Sequence, residues 1–183
     1  MLRYKHSGLA LITALIFLQI IAILGIYAVQ STIFAEKMSR LAWQHNQSVT
    51  AAEYVLHLAE TQAQAGIAEC VIPTTSSNEL VSKPLSWWQS FKDCAGNFQL
   101  FEYYYVIEKL GEDGCAYIKL ANYEMLNKYS ANYSRITLLL TDKKNEVREM
   151  LQSTLVTLDN ARLNCDTGYH PVVLGRQAWR ELT

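Results

Sequence analysis

One uninterrupted apolar stretch near the N-terminus limits what this chain can fold into. Residues 9–29 read LALITALIFLQIIAILGIYAV, with no charged side chain and only Thr13, Gln19 and Gly25 as breaks in the apolar pattern. At about 1.5 Å of rise per residue, a helix of about 21 residues covers roughly 30 Å, the thickness of a bilayer's hydrocarbon core. The stretch therefore predicts a membrane-spanning helix.

The helical pattern continues beyond the apolar stretch. Residues 30–65 contain neither Gly nor Pro, and their apolar side chains recur at mostly three- and four-residue steps, as on one helix face: Phe34, Met38, Leu41, Ala52, Leu56, Ala59 and Ala63. The sequence predicts one helix of about sixty residues, roughly 85 Å long. Residues 9–29 form its hydrophobic transmembrane half and residues 30–66 its amphipathic half.

The remaining residues leave room for one modest globular domain. Of the 183 residues, about 115 follow the helix. Residues 67–98 read as a crossing loop between helix and sheet, with Trp87 and Trp88 expected to fix this loop onto the core. Residues 99–158 alternate apolar and polar side chains and predict a four-stranded antiparallel β-sheet, with strands at 99–110, 115–121, 135–141 and 147–158. Residues 159–183 read as a C-terminal tail, and residues 122–133 are left unassigned.

Charge and cysteine usage restrict the environment of that domain. The formal net charge of −1 gives no basic surface of the kind that binds nucleic acid. The leader, residues 1–8, carries Arg3 and Lys5 and is expected to stay in the cytoplasm by the positive-inside rule. The rest of the chain is then exported to an oxidising compartment, where an even number of cysteines favours disulfides over metal ligands.

The four cysteines are Cys70, Cys94, Cys115 and Cys165. Sequential pairing keeps each loop local, so we expect Cys70–Cys94 to close the crossing loop and Cys115–Cys165 to tie the tail to the sheet. Four cysteines permit three connectivities, and the spacing alone does not choose among them.

The junction between the leader and the apolar stretch is the most specific N-terminal feature. An ordinary signal peptide has an apolar region of only about 7 to 15 residues and a small-x-small cleavage site after it. Here the apolar run is longer, no convincing site of that kind follows, and the basic leader ends at Gly8, directly before Leu9. This order resembles a type IV prepilin signal, in which cleavage precedes the hydrophobic helix. An uncleaved signal anchor is the alternative that hydropathy leaves open.

Two triplets along the helix extend this resemblance to PilX-type minor pilins of type IV pili. Glu36-Lys37-Met38 is similar to a Glu-(Arg/Lys)-Met triplet that follows the membrane segment in that family. Ala51-Ala52-Glu53 is similar to an Ala-Ala-Glu triplet about fifteen residues later. A shorter resemblance, to the family's closing hairpin, involves residues 133–137 and 148–154. The middle of the chain, residues 66–132, resembles nothing that we can name.

The resemblance implies a fold, a processing site and a set of partners. The fold is α+β and type IV pilin-like, with the amphipathic half of the helix packed on the sheet. A prepilin peptidase would cut between Gly8 and Leu9, and the new amine would be methylated. The protein would reside in the bacterial inner membrane as a single-pass protein, with a cytoplasmic N-terminus and a periplasmic domain, and then in the pilus. It would prime pilus assembly near the tip, with other minor pilins and a PilY-type adhesin.

Thr13 departs from the pilin pattern. Most pilins carry a glutamate at the fifth mature position, where it is thought to pair with the N-terminal amine of a neighbouring subunit. A carboxylate within the bilayer costs about 3 kcal/mol on insertion scales, so it is kept where it has a partner. Thr13 avoids that cost and cannot serve as the charged acceptor. Its presence is expected of subunits that sit first in a fibre.

Two other functions are compatible with the sequence. A minor pseudopilin of a type II secretion system has the same architecture, and an unrelated membrane-anchored periplasmic binding module needs only the anchor. The four histidines are scattered, and no serine lies in a nucleophile-elbow motif. We therefore expect a protein that is not an enzyme and that uses no cofactor and no metal.

Overall fold

The computed structural model describes residues 7–66, 70–118, 130–143, 148–159, 165 and 168–182. Most of the leader and residues 122–129, which the sequence leaves unassigned, lie outside this set, as do the side chains at positions 7–10, 117–118 and 159. The chain divides into two compact units, Met1–Asn46 and Gln47–Thr183. Helix α1 covers Ser7–Gln64, 58 residues, and contributes to both units. The predicted long N-terminal helix is thus confirmed.

A glycine marks the C-terminal end of α1. Gly66 has φ +70°, a left-handed conformation that a residue without Cβ adopts readily. The amides of Ala65 and Gly66 donate to the carbonyls of Thr61 and Ala63 at 3.1 and 3.2 Å, so two of the last carbonyls of the helix are satisfied.

Short elements follow before the long strands begin. They are strand β1 (Val71–Ile72), helices α2 (Ser77–Ser82) and α3 (Leu85–Trp88), a 3-10 turn (Lys92–Cys94) and strand β2 (Ala95–Phe98). The remaining strands are β3 (Phe101–Asp113), β4 (Ala116–Ile118), β5 (Ser130–Asp142), β6 (Arg148–Asp159), β7 (His170–Val172) and β8 (Gly175–Glu181).

The main sheet is mixed and six-stranded, which corrects the predicted four-stranded antiparallel sheet. Its order is β1-β3-β5-β6-β8, and β2 also pairs with β3. The pairing of β1 with β3 is parallel, whereas the other pairs in this sheet are antiparallel. Strand β4, expected between β3 and β5, instead pairs in parallel with β7 in a separate two-stranded sheet. Because β4 leaves the main sheet, β3 and β5 pair directly along almost their whole length.

Residues expected in the crossing loop and the tail supply three strands of the main sheet. Strands β1 and β2 come from the crossing loop and share one edge of β3, at Ile107–Glu108 and Phe101–Tyr104 respectively. Strand β8 comes from the tail and pairs with β6. The short strands lack the length for a readable alternation, and the disulfides hold their segments next to the sheet.

The second part of α1 packs on one face of this sheet. Its buried stripe (Ala51, Ala52, Val55, Leu56 and Ala59) meets inward-facing strand residues (Tyr105, Ile107, Ile136, Leu138, Leu140, Leu151 and Leu155). Small alanines allow helix and sheet to approach closely. Burial of a side chain such as Leu56, which has no exposed surface, contributes about 1.5–3 kcal/mol.

The crossing segment covers the opposite face of the sheet. Leu80 of α2 and Trp88 of α3 are fully buried against Tyr104, Val106 and Leu139. Trp87 makes edge contacts with Trp88 and Phe91, with ring centroids 5.1 and 4.9 Å apart. The expectation that the two tryptophans fix this segment onto the core is confirmed. The sheet is therefore buried on both faces.

Candidate functional site

The first part of α1 is an apolar surface with no covering from the described residues of the chain. Every described side chain from position 11 to 46 is exposed. Phe17, Leu18, Ile21 and Leu24, for example, are 63–67% exposed. An 18-residue window of this helix has a mean hydropathy of 2.5, so α1 is long and apolar enough to cross a bilayer once. This segment is the candidate functional site, because so large an apolar surface requires lipid or other helices around it.

The hydroxyl groups at the C-terminal end of the apolar stretch are bonded within the helix. Ser31 Oγ and Thr32 Oγ1 both donate to the carbonyl of Ala28, at 2.9 Å each. Back-bonding of this kind satisfies a hydroxyl without water. These two hydroxyls therefore have a partner within the helix itself.

The predicted processing residues lie at the start of α1. The helix begins at Ser7, so the backbone of Gly8 and Leu9 belongs to its first turn, while their side chains lie outside the described set. Thr13 follows one turn later, on the exposed surface of the helix. The structure thus places Gly8, Leu9 and Thr13 in one continuous helix.

The two triplets that resemble the pilin signature lie in different surroundings. Glu36, Lys37 and Met38 are exposed, Met38 to 52%. Ala51 and Ala52 are buried in the core of the domain, at 4% and 0% exposed, and Glu53 beside them is half-buried. The first triplet is available to another molecule, whereas the alanines of the second pack the chain's own sheet.

The disulfides join Cys70 to Cys94 and Cys115 to Cys165, the sequential pairing expected from the sequence. The first bridge is buried, with its cysteines 4% and 1% exposed. It joins the residue before β1 to the 3-10 turn within the core cluster that contains the buried stripe of α1. The second is half-buried and links the end of β3 to the segment before β7. Both therefore tie short elements to the sheet.

A buried ion pair fastens the crossing segment to the sheet. Glu108 of β3 has no exposed surface and accepts two hydrogen bonds from the Arg135 guanidinium, each 2.7 Å long. The amide of Thr75 also donates to Glu108 at 2.7 Å, and Arg135 in turn donates to the carbonyl of Thr75. The hydrogen bonds from Arg135 to Glu108 raise the pKa of the arginine above its ordinary value. Removing either Glu108 or Arg135 would leave the other charge buried without compensation, which is costly.

A second ion pair joins α1 to the outer strand of the sheet. Glu60 is 4% exposed and is held by Arg176 of β8, with Nε–Oε1 and Nη2–Oε2 distances of 2.7 and 2.9 Å. Neither pair is predicted by the sequence. For Glu60 the only local signal is a carboxylate one turn after the buried Leu56, on the edge of the apolar stripe.

An open groove of about 480 Å³ runs beside this second pair. Helix α1 contributes Glu53, His57 and Gln64 to its wall, and β8 contributes Gly175 and Arg176. Glu53 has no hydrogen-bond or ion-pair partner among the described residues. Several charged and polar side chains thus line the groove, and the carboxylate of Glu53 adds a negative charge to it.

Comparison of the chain with protein-family models, with curated proteins and with solved structures gave no match.

Proposed function

We propose that this protein is a minor pilin of the PilX type, which primes type IV pilus assembly and sits near the pilus tip. The main support for the proposal is that the two parts of helix α1 have different surroundings. Residues 11–46 present an apolar surface that the described chain leaves bare, while residues 51–59 anchor the same helix in a disulfide-bonded α+β domain. A fibre subunit needs both parts, one to enter a helical bundle and one to lie outside it.

The leader and Thr13 support a place at the start of the fibre. Cleavage after Gly8 makes Leu9 the first residue and Thr13 the fifth. A repeating subunit meets the next subunit's amine with a carboxylate at that position, and Thr13 cannot provide one. Its own protonated amine is costly to leave unpaired in hydrocarbon and seeks an acceptor elsewhere. The chain therefore assembles with other minor pilins that carry the glutamate.

The proposal also fixes the location and the partners of the protein. The N-terminus is cytoplasmic, residues 9–29 span the inner membrane and the domain lies in the periplasm until the chain enters the pilus. A prepilin peptidase processes it, and a PilY-type tip adhesin joins the minor pilins. The exposed triplet Glu36-Lys37-Met38 is the part of the pilin signature that can contact these partners directly.

Processing tests the proposal first. Mass spectrometry of the protein extracted from membranes should find a chain that begins at Leu9 with a methylated amine. A Gly8→Val variant should keep the leader and still reach the membrane. An intact Met1 terminus, or a terminus near residue 36, contradicts the proposal.

A deletion strain distinguishes the pilus from type II secretion. Loss of the gene should reduce the number of pili while secreted enzymes stay at their normal levels, and sheared pili should contain only traces of the protein. Loss of secretion with normal piliation would point to a pseudopilin. Pili made mainly of this chain would contradict a position at the tip.

A further inference from the structure

The outer edge of β8 is open in the part of the chain that the structure describes. Strand β8 is last in the order of the main sheet, and its described pairing is with β6 alone. Residues 177–181 of the strand are exposed. The backbone groups on the open side of such a strand are donors and acceptors in the geometry that another extended chain requires.

The hydrogen-bond pattern identifies which backbone groups face outward. The amide of Leu182 donates to the carbonyl of Met150 at 2.9 Å, so Met150 and Leu182 form a hydrogen-bonded pair. Hydrogen-bonded and non-hydrogen-bonded pairs alternate along antiparallel strands. The register pairs Leu151 with Glu181 and Ser153 with Trp179. The N–H and C=O groups of Trp179 and Glu181 therefore point away from β6.

Near the start of β8, two backbone carbonyls accept hydrogen bonds from a side chain of the same strand. Gln177 turns its side-chain amide back along the chain and donates to the carbonyls of Val173 and Gly175. No proline or lysine occurs in β8, and its two arginines are engaged within the domain, Arg176 with Glu60 and Arg180 with Gln152. Proline and lysine, two of the devices that block an edge strand, are thus absent from β8; the charge at the outward position 181 is a glutamate, and the register with β6 shifts between Ala178 and Arg176, before the outward positions.

The charge beside this edge indicates which side chain a partner strand would carry. Glu181 is exposed and has no hydrogen-bond or ion-pair partner among the described residues. A basic side chain at an alternate position of an added strand would meet this carboxylate.

We propose that β8 binds an extended segment of a partner protein by β-strand addition, through the backbone of Trp179 and Glu181, and that a lysine or arginine of this segment pairs with Glu181. The ion pair between Glu60 and Arg176 holds β8 against α1, so the edge is preorganised for the partner. The inference does not rest on the proposed function, because any partner with this chemistry satisfies it. The two can therefore fail separately.

The test uses the full-length chain in detergent and a synthetic peptide of about nine residues, which alternates valine and threonine around a central lysine. Hydrogen exchange should slow by about tenfold or more at the amides of Trp179 and Glu181 when the peptide saturates. Exchange at Leu182 should not change, because its amide is already bonded to Met150. A peptide with glutamate at the centre should bind about tenfold more weakly.

Two variants separate the backbone from the charge. Trp179→Pro deletes an outward N–H, leaves the carboxylate of Glu181 in place and should abolish binding, with retained protection of Leu182 as the check that the strand is intact. Glu181→Lys keeps the N–H and should invert the preference, so that the glutamate peptide binds better than the lysine peptide. No protection at any peptide concentration, an unchanged preference in Glu181→Lys, or protection that rises with protein concentration alone would overturn the proposal. The last result would assign the edge to a second copy of this chain.

Discussion

The two ends of α1 share one backbone geometry and meet opposite surroundings. From position 11 to 46 every described side chain is exposed, although most of the large ones are apolar. From position 47 onward one stripe is buried, with Ala52 and Leu56 fully covered, and the opposite side faces solvent. The difference shows that the burial of a helix face depends on whether the residues that cover it belong to the same chain. The stripe finds its partner in the sheet of the same chain, and the apolar end needs one from outside.

The largest expected effect comes from removing the partner of a buried charge in the second part of the helix. Arg176→Ala removes both hydrogen bonds from the buried carboxylate of Glu60 and leaves only the His57 imidazole, 3.7 Å away, beside it, and it should lower the free energy of unfolding by about 3–5 kcal/mol. Urea denaturation of the detergent-solubilised chain measures it. Glu36→Gln, a change of charge in the exposed part of the same helix, is the matched control and should shift stability by less than about 0.5 kcal/mol. Equal losses of stability in the two variants would contradict the difference in surroundings between the two parts of α1.

One substitution made in both parts of the helix gives the most direct contrast in packing. Leu56→Ala opens a cavity in the core and should cost about 2–5 kcal/mol. Leu41→Ala, at a position that is 60% exposed, should leave the unfolding of the domain nearly unchanged. Both are read from the same urea titration. If Leu41→Ala destabilised the domain as much as Leu56→Ala, residues before position 47 would belong to its core.

An introduced lysine tests whether lipid or water surrounds each of the two parts of α1. Ile20→Lys places a charge near the centre of the apolar stretch and should oppose membrane insertion by about 2.5–3.5 kcal/mol. The fraction of the protein that sediments with membranes should therefore fall. Leu58→Lys, on the solvent side of the second part, is the control and should leave that fraction unchanged. Full membrane retention of Ile20→Lys would contradict a bilayer around this segment.

The smallest effect concerns a polar contact at the border of the helix and the sheet. The hydroxyl of Tyr105 donates to Gln62 Oε1, and burial raises the pKa of that tyrosine. Tyr105→Phe should cost about 1 kcal/mol near neutral pH, whereas Tyr54→Phe, on an exposed tyrosine of α1, should cost less than about 0.5 kcal/mol.

The same tyrosine gives a pH dependence with a defined sign. Because its folded pKa is raised, the stability linked to Tyr105 is fully present below the ordinary tyrosine pKa of about 10 and is lost as the pH rises through the folded value. Urea titrations between pH 8 and pH 11 should show a shallower loss of stability in Tyr105→Phe than in the unchanged chain. An identical slope would mean that Tyr105 titrates alike in both states.

The parts of the fold that could be predicted are those with long, regular patterns. Helix α1 has no Gly or Pro between positions 30 and 65, and β3, β5 and β6 are 12 or 13 residues long, which leaves room for an alternation to emerge over parts such as residues 101–108 and 135–141. Strand β1 has two residues and β2 has four, which is too few for a period to emerge. Strand β8 reads GRQAWRE and is largely exposed, so it has no apolar alternation to recognise. The mixed sheet could not be anticipated for that reason.

The candidate site likewise has some features that the sequence predicts and others that it does not. The apolar stretch and the junction at Gly8 are local features and can be read directly. The ion pair between Glu60 and Arg176 joins residues 116 positions apart, and a single sequence holds no signal for such a contact. Nor could the burial of Ala51 and Ala52 be separated from a role in assembly, because small apolar residues suit both helix–sheet packing and helix–helix packing.

Thiol labelling in intact cells tests most directly whether the exposed apolar part of α1 is covered from outside the chain. The structure holds no free cysteine among its described residues, so single cysteines can be introduced at two positions of similar exposure, Ile21 at 63% and Tyr54 at 59%. With a membrane-impermeant maleimide and a permeabilised outer membrane, Tyr54→Cys should label fully. Ile21→Cys should label only after detergent or denaturant dissolves its surroundings. Equal labelling of the two cysteines in intact membranes would contradict the account.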